Sequence, residues 1–158
     1  MKNKRFYSLF AIAAIVALLG AGMFAPQTAH AQSGGGNGTL TASGNGLASI
    51  RGNGTVTISG NGILWIKDHA GDASIRVTGN GVKREMPNGW TCYVGFQGEA
   101  TVSGSMITVA LSGHNIYLQA SGTGKFVLRG NGSYTVTKDG ATIASGAWTE
   151  SAEVMTIP

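Results

Sequence analysis

Glycine recurs along this chain at a fixed spacing. Gly36-Asn37-Gly38, Gly44-Asn45-Gly46, Gly52-Asn53-Gly54 and Gly60-Asn61-Gly62 follow one another every eight residues. The rhythm stretches at 67–72, resumes with Gly79-Asn80-Gly81 and Pro87-Asn88-Gly89, and returns at Gly130-Asn131-Gly132. Repetition on this scale constrains the fold more than any other feature of the sequence. Between the glycines the pattern has period two. Leu40, Ala42, Ala48, Ile50, Val56, Ile58, Leu64 and Ile66 are even-numbered and apolar, while the odd positions are mostly Thr, Ser, Arg and Lys. Leu47, Ile63 and Trp65 are the exceptions. Such alternation belongs to half-buried strands.

The corner length fixes the faces. A three-residue Gly-Asn-Gly corner keeps every even residue on one side and places glycine where a type I turn with a bulge needs a left-handed residue. The expectation is an all-β fold of about twelve short strands. Downstream strands are expected at 73–78, 82–86, 90–96, 99–103, 107–111, 116–120, 125–129 and 133–137. A hairpin is expected around Pro87-Asn88-Gly89, and a bulge near Ser105-Met106, where the inward parity flips. Two architectures fit: an antiparallel meander sandwich or a β-solenoid-like stack with two strands per coil. Residues 36–51 and 52–67 match position by position (Thr39 with Thr55, Thr41 with Thr57, Arg51 with Lys67). In a solenoid these pairs stack like on like, and the solenoid-like stack is preferred for that reason.

The first 31 residues read as a signal peptide. Lys2, Lys4 and Arg5 precede an apolar run at 9–25, and Ala29-His30-Ala31 is a small-x-small cleavage site. The alternative is an uncleaved membrane anchor, since a span needs about 20 apolar residues. Three of the chain's 11 Lys and Arg lie in this segment, leaving eight against 7 Asp and Glu, a net +1. A nucleic-acid reading needs a basic face, and the balance argues against it. The organisation read from the sequence is therefore a signal peptide at 1–31, a repetitive β domain at 32–137, and a less regular segment at 138–158 with a last strand at 141–145. The single cysteine, Cys92, alternates with Trp90 and Val94 and reads as a small buried apolar residue.

The run Val102-Ser103-Gly104-Ser105-Met106-Ile107-Thr108-Val109, with residues 116–124 after it, resembles the Gly-rich repeats of bacterial adhesin-like secreted domains of the head-GIN type. The whole mature chain is also similar to uncharacterised exported β proteins with serial Gly-x-Gly repeats. The resemblance implies a repetitive β fold at the cell surface or in the periplasm, and brings no active-site residues with it.

Candidate chemistry is sparse. Phosphate-binding glycines need a following helix, and strands follow these. A calcium roll needs acidic corners, and these carry Asn. No metal, cofactor or catalytic set is expected. The densest polar cluster is Asp68, His69 and Asp72, whose residue types suit a metal or acid–base chemistry, although a solvated turn at Gly71 explains them better. Trp65, Trp90 and Tyr117 are candidate ligand contacts, because flat aromatic faces stack on sugars. The Thr-x-Thr pairs suggest a hydroxyl array, but Thr is also a good exposed strand former. The functional expectation is an exported, non-enzymatic, adhesin-like protein meeting a cell-surface, matrix or glycan ligand, with self-association through uncharged strand edges. A small glycan-binding module is the alternative. Neither nucleic acid nor, after cleavage, membrane is expected as a partner.

Overall fold

The computed structural model describes residues 38–158, so the expected signal peptide and Gly36 and Asn37 of the first corner lie outside the described residues. Five strands form one antiparallel sheet: β1 Gly38–Asp68, β2 Ser74–Met86, β3 Trp90–Lys138, β4 Ala141–Ala147 and β5 Glu153–Ile157. A single 3-10 turn at Pro87–Gly89 joins β2 to β3. β3 lies between β1 and β2, and β4 and β5 also pair with β3. The described chain is all-β, as the alternation predicts. The strand count is corrected. In place of about twelve short strands, two very long ones of 31 and 49 residues run through the glycine corners.

The corners bend a strand without ending its ladder, because corner meets corner. Gly44, Asn45 and Gly46 lie opposite Gly132, Asn131 and Gly130, and Gly52, Asn53 and Gly54 opposite Gly124, Thr123 and Gly122. The backbones there approach so closely that a Cβ has no room. One built on Gly46 strikes the Arg129 carbonyl oxygen, and one on Gly54 strikes that of Ser121. Both glycines also hold φ near +130°, a region that L side chains avoid.

All residues of β1 except Asn45, Asn53, Gly60 and Asp68 are flanked on both sides by β3. Leu40 faces Ala120 and Val136, and Val56 faces Val102 and Ala120. Ala120 thus sits between Leu40 and Val56, which are one super-repeat apart. This corrects the expected stacking of like on like. Thr39 and Thr55 flank Ser121, Thr41 and Thr57 flank Gln119, and Arg51 and Lys67 flank Thr108. Matching residues are two ladder spacings apart, about 9.5 Å, with a β3 residue interleaved.

All eight even apolar residues of β1 lie in the core, joined by Phe96, Ala100, Val102, Leu118, Phe126 and Leu128 of β3. Burial of each such large aliphatic or aromatic side chain is worth roughly 1.5–3 kcal/mol. The parity change on β3 falls at Met106, which has φ 49°. After it Ile107, Val109 and Leu111 face inward, until Asn115, at φ 53°, restores even parity with Ile116. Corner asparagines serve these two bulges. Asn53 Oδ1 accepts the Met106 N–H and Asn45 Oδ1 the Asn115 N–H, each at 2.8 Å. At one end of the core Trp148 is 5 % exposed and donates from its backbone to Gly132 and from Nε1 to the Ser133 carbonyl.

Glycine replacements should separate close approach from backbone conformation. Gly46→Ala or Gly54→Ala is expected to cost more than about 2 kcal/mol, strain and collision together. Gly71→Ala, with φ +81° but open space, should cost about 1 kcal/mol. Urea unfolding of the purified protein reads this order, and equal costs at all three sites would contradict it.

Candidate functional site

One stretch of the sheet presents hydroxyls in rows, because odd residues of β1 face away from the core and pair with outward residues of β3. The first row runs Thr137, Thr39, Ser121, Thr55, Ser103, Ser74. The second runs Thr135, Thr41, Gln119, Thr57, Thr101, Arg76. The third runs Ser133, Ser43, Tyr117, Ser59, Glu99, Thr78. Neighbours within a row are spaced about 4.8 Å apart, and rows lie about 6.7 Å apart along the strands. Neighbouring hydroxyls touch: Thr55 Oγ1 lies 2.9 Å from Ser103 Oγ, and Thr57 Oγ1 3.4 Å from Thr101 Oγ1. Each hydroxyl has one donor and two acceptor positions, so these contacts leave capacity turned to solvent. Tyr117 is 45 % exposed among the serines of the third row.

The three candidate aromatics do not share a surface. Trp65 and Trp90 meet edge to face with centroids 6.3 Å apart, whereas Tyr117 pairs with Ser43 and Ser59 on the hydroxyl rows. Trp65 has outward parity, between the core residues Leu64 and Ile66, yet it is only 8 % exposed. It is therefore not an open stacking platform. Its neighbours of the same parity, Cys92 and Ala110, are buried too, as is Ser49 beyond them. The Trp65 Nε1 and Ser49 Oγ have no hydrogen-bond partner among the described residues. Burial also pushes the Cys92 thiol pKa up, which suits the inert role read from its position. Trp90 is half-buried, with Lys67 Nζ 5.6 Å from its ring centroid and the His69 ring at 6.4 Å edge to face.

The polar cluster resolves into turn chemistry. Asp68 accepts the N–H groups of Ala70, Gly71 and Ala73 at 3.1, 2.7 and 2.8 Å. These bonds, the one from Ala73 foremost, hold its carboxyl below the ordinary value. Asp72 accepts the Ser105 N–H at 2.9 Å, tying the loop to the bulge. His69 turns to Thr108, with Nε2 3.0 Å from Oγ1. Among the described residues no three His, Cys, Asp or Glu groups are placed to hold a metal ion.

The sequence shows the hydroxyl pairs of β1 but not the rows, because half of each row comes from β3. The signal available was the odd parity of Ser, Thr and Gln at 117–121 and 133–137. No protein-family model, no curated protein and no solved structure matches this chain.

His69 gives this region a pH dependence. Burial, then the charges of Arg51 and Lys67, hold its pKa below 6.5 against an opposing pull from Asp68. The unfolded chain therefore protonates first as pH falls. The stability contributed by neutral His69 is complete above pH 6.5 and declines as pH drops below it toward the folded value. Thermal midpoints between about pH 7 and 5 should fall in the native protein, and His69→Gln should flatten that slope. An unchanged slope would remove the assignment.

Proposed function

We propose that this is an exported, non-enzymatic surface-interaction protein whose binding surface is the exposed Ser/Thr face and whose ligand is a hydroxylated polymer, a glycan. The single observation carrying the reading is the three-row array of outward hydroxyls with Tyr117 among them. A glycan chain repeats hydroxyl donors and acceptors along its length, and a periodic protein face meets such a ligand at many sites in weak, additive contacts. Tyr117 adds an aromatic ring for stacking on a sugar face, and Gln119 and Glu99 set planar polar groups near it. The segment at 1–31 supports export, to the periplasm, the cell surface or the medium. A non-enzymatic role is favoured by Asp68 and Asp72, whose carboxylates are engaged by backbone amides.

The same reading extends to the architecture. β1 and the returning arm of β3 form one long hairpin, and the second set of β1–β3 pairs is what arises when that hairpin winds on itself. We read the path as a solenoid-like stack with two runs per coil, in which the two arms alternate. The resemblance to adhesin-like secreted domains fits this reading.

Cosedimentation of the exported protein with cellulose, chitin and peptidoglycan tests the function. The native protein is expected to bind at least one of them. Tyr117→Ala should weaken that binding about two- to tenfold, the scale of one aromatic contact. Thr57→Val keeps shape and removes the hydroxyl, and should weaken it further when combined with Thr41→Val. Absence of binding to every polymer, or binding indifferent to all three substitutions, would overturn the proposal.

A further inference from the structure

The sheet has two open edges, and exposed apolar side chains gather on them. Among the described residues β2 pairs with β3 alone, and so do β4 and β5. Their outer backbone groups are thus an unfilled template for another strand. Five of the exposed large apolar residues sit on these three strands: Ile75, Val82 and Met86 on β2, Ile143 on β4 and Val154 on β5. Only Met106 and Tyr117 lie elsewhere. Each edge also has the same two-part form. The 74–79 part of β2 continues the ladder that ends in β4 on the far side, and the 82–86 part continues the ladder that ends in β5.

The edges differ in charge. β2 carries Arg76, Lys83 and Arg84 against Glu85. Lys83 and Glu85 pair with each other at 2.8 Å, so Arg76 and Arg84 set the sign of that edge. Residues 139–158 carry Asp139, Glu150 and Glu153 and no Lys or Arg. Lys125, Arg129 and Lys138 lie one strand in from the acidic edge, and Glu99 one strand in from the basic edge, all on β3. Two β2 edges brought together would oppose like charges, and so would two β4/β5 edges. Unlike edges attract.

We propose that copies of this chain associate head to tail, the β2 edge of one receiving the β4/β5 edge of the next, to form an open filament. The occupant of each edge is a second copy of the chain. Direction agrees with this. From β4 the ladder passes to 133–138, 38–44, 116–122, 54–60, 98–104 and then β2, with each step antiparallel. After these six steps β4 and the 74–79 part of β2 run the same way, so a copy added without inversion pairs in parallel, an allowed though slightly weaker ladder. A contact between two different surfaces that does not close on itself propagates as a filament. The apolar residues Ile75, Val82, Ile143 and Val154 are covered in the process, and the hydroxyl rows of successive copies run on in the same direction.

The test uses protein exported from cells expressing the full chain. Sedimentation velocity over a wide concentration range should show a sedimentation coefficient that climbs without a plateau, with unbranched filaments by electron microscopy. Raising salt to about 0.5 M should shift the distribution toward monomer. Arg76→Glu with Arg84→Glu makes both edges acidic, and Glu150→Lys with Glu153→Lys makes both edges basic. Each variant alone should lose association by at least about tenfold, with unchanged circular dichroism, and mixing the two should restore assembly. Native protein that stays monomeric at every concentration would overturn the proposal. So would a dimer that stops growing, or variants that assemble alone as the native chain does. Glycan cosedimentation of the monomeric Glu150→Lys with Glu153→Lys variant, whose substitutions lie outside the hydroxyl rows, keeps this outcome separate from that of the hydroxyl face.

Discussion

Close contact between glycine corners is the constraint on which the rest depends. Where Gly46 meets the Arg129 carbonyl and Gly54 meets that of Ser121, a single methyl group has no space. Remove that contact and β1 can no longer keep β3 on both sides through each bend. The core follows from it, because inward parity survives the corner only while the ladder does. The outward hydroxyl rows follow as well, since they are the other face of the same registered strands. The corner asparagines add a second layer of specification. Asn45 and Asn53 are not merely turn formers, for their side-chain oxygens satisfy the amides of the two bulges that reset parity on β3.

Much of this was legible from residue pattern alone. The even apolar residues of β1, the turn at Pro87–Gly89 and the parity change at Met106 all follow from local rules. What the pattern hid was the partner. Thr39 and Thr55 look like neighbours in a stack, yet Ser121 lies between them. The sixteen-residue repeat records the spacing of β1 around an intervening strand, and intrachain repetition has no mark that says whether its units touch. Pairing between residues as distant as Thr41 and Thr135 is non-local, so no window of sequence contains it.

The candidate site shows the same division. Asp68 ends β1 and Asp72 lies in the loop after it, where Gly71 predicts a turn, and backbone amides engage both carboxylates. Tyr117 is exposed where alternation put it. Trp65 is not, although its parity is outward. The layer holding Ser49, Trp65, Cys92 and Ala110 is buried on the side opposite the core, and no alternation rule separates a buried outer row from a wet one. The hydroxyl face exists only because β3 lies between the repeats of β1.

The central claim is therefore the double partnership of β1, and cross-strand proton contacts test it directly. In nuclear Overhauser spectra of the purified, isotope-labelled protein, backbone protons of Val56 should show cross-peaks to the neighbourhoods of both Val102 and Ala120, and those of Leu40 to both Ala120 and Val136. Contacts to one partner only, or direct backbone contacts between Thr39 and Thr55, would contradict the account.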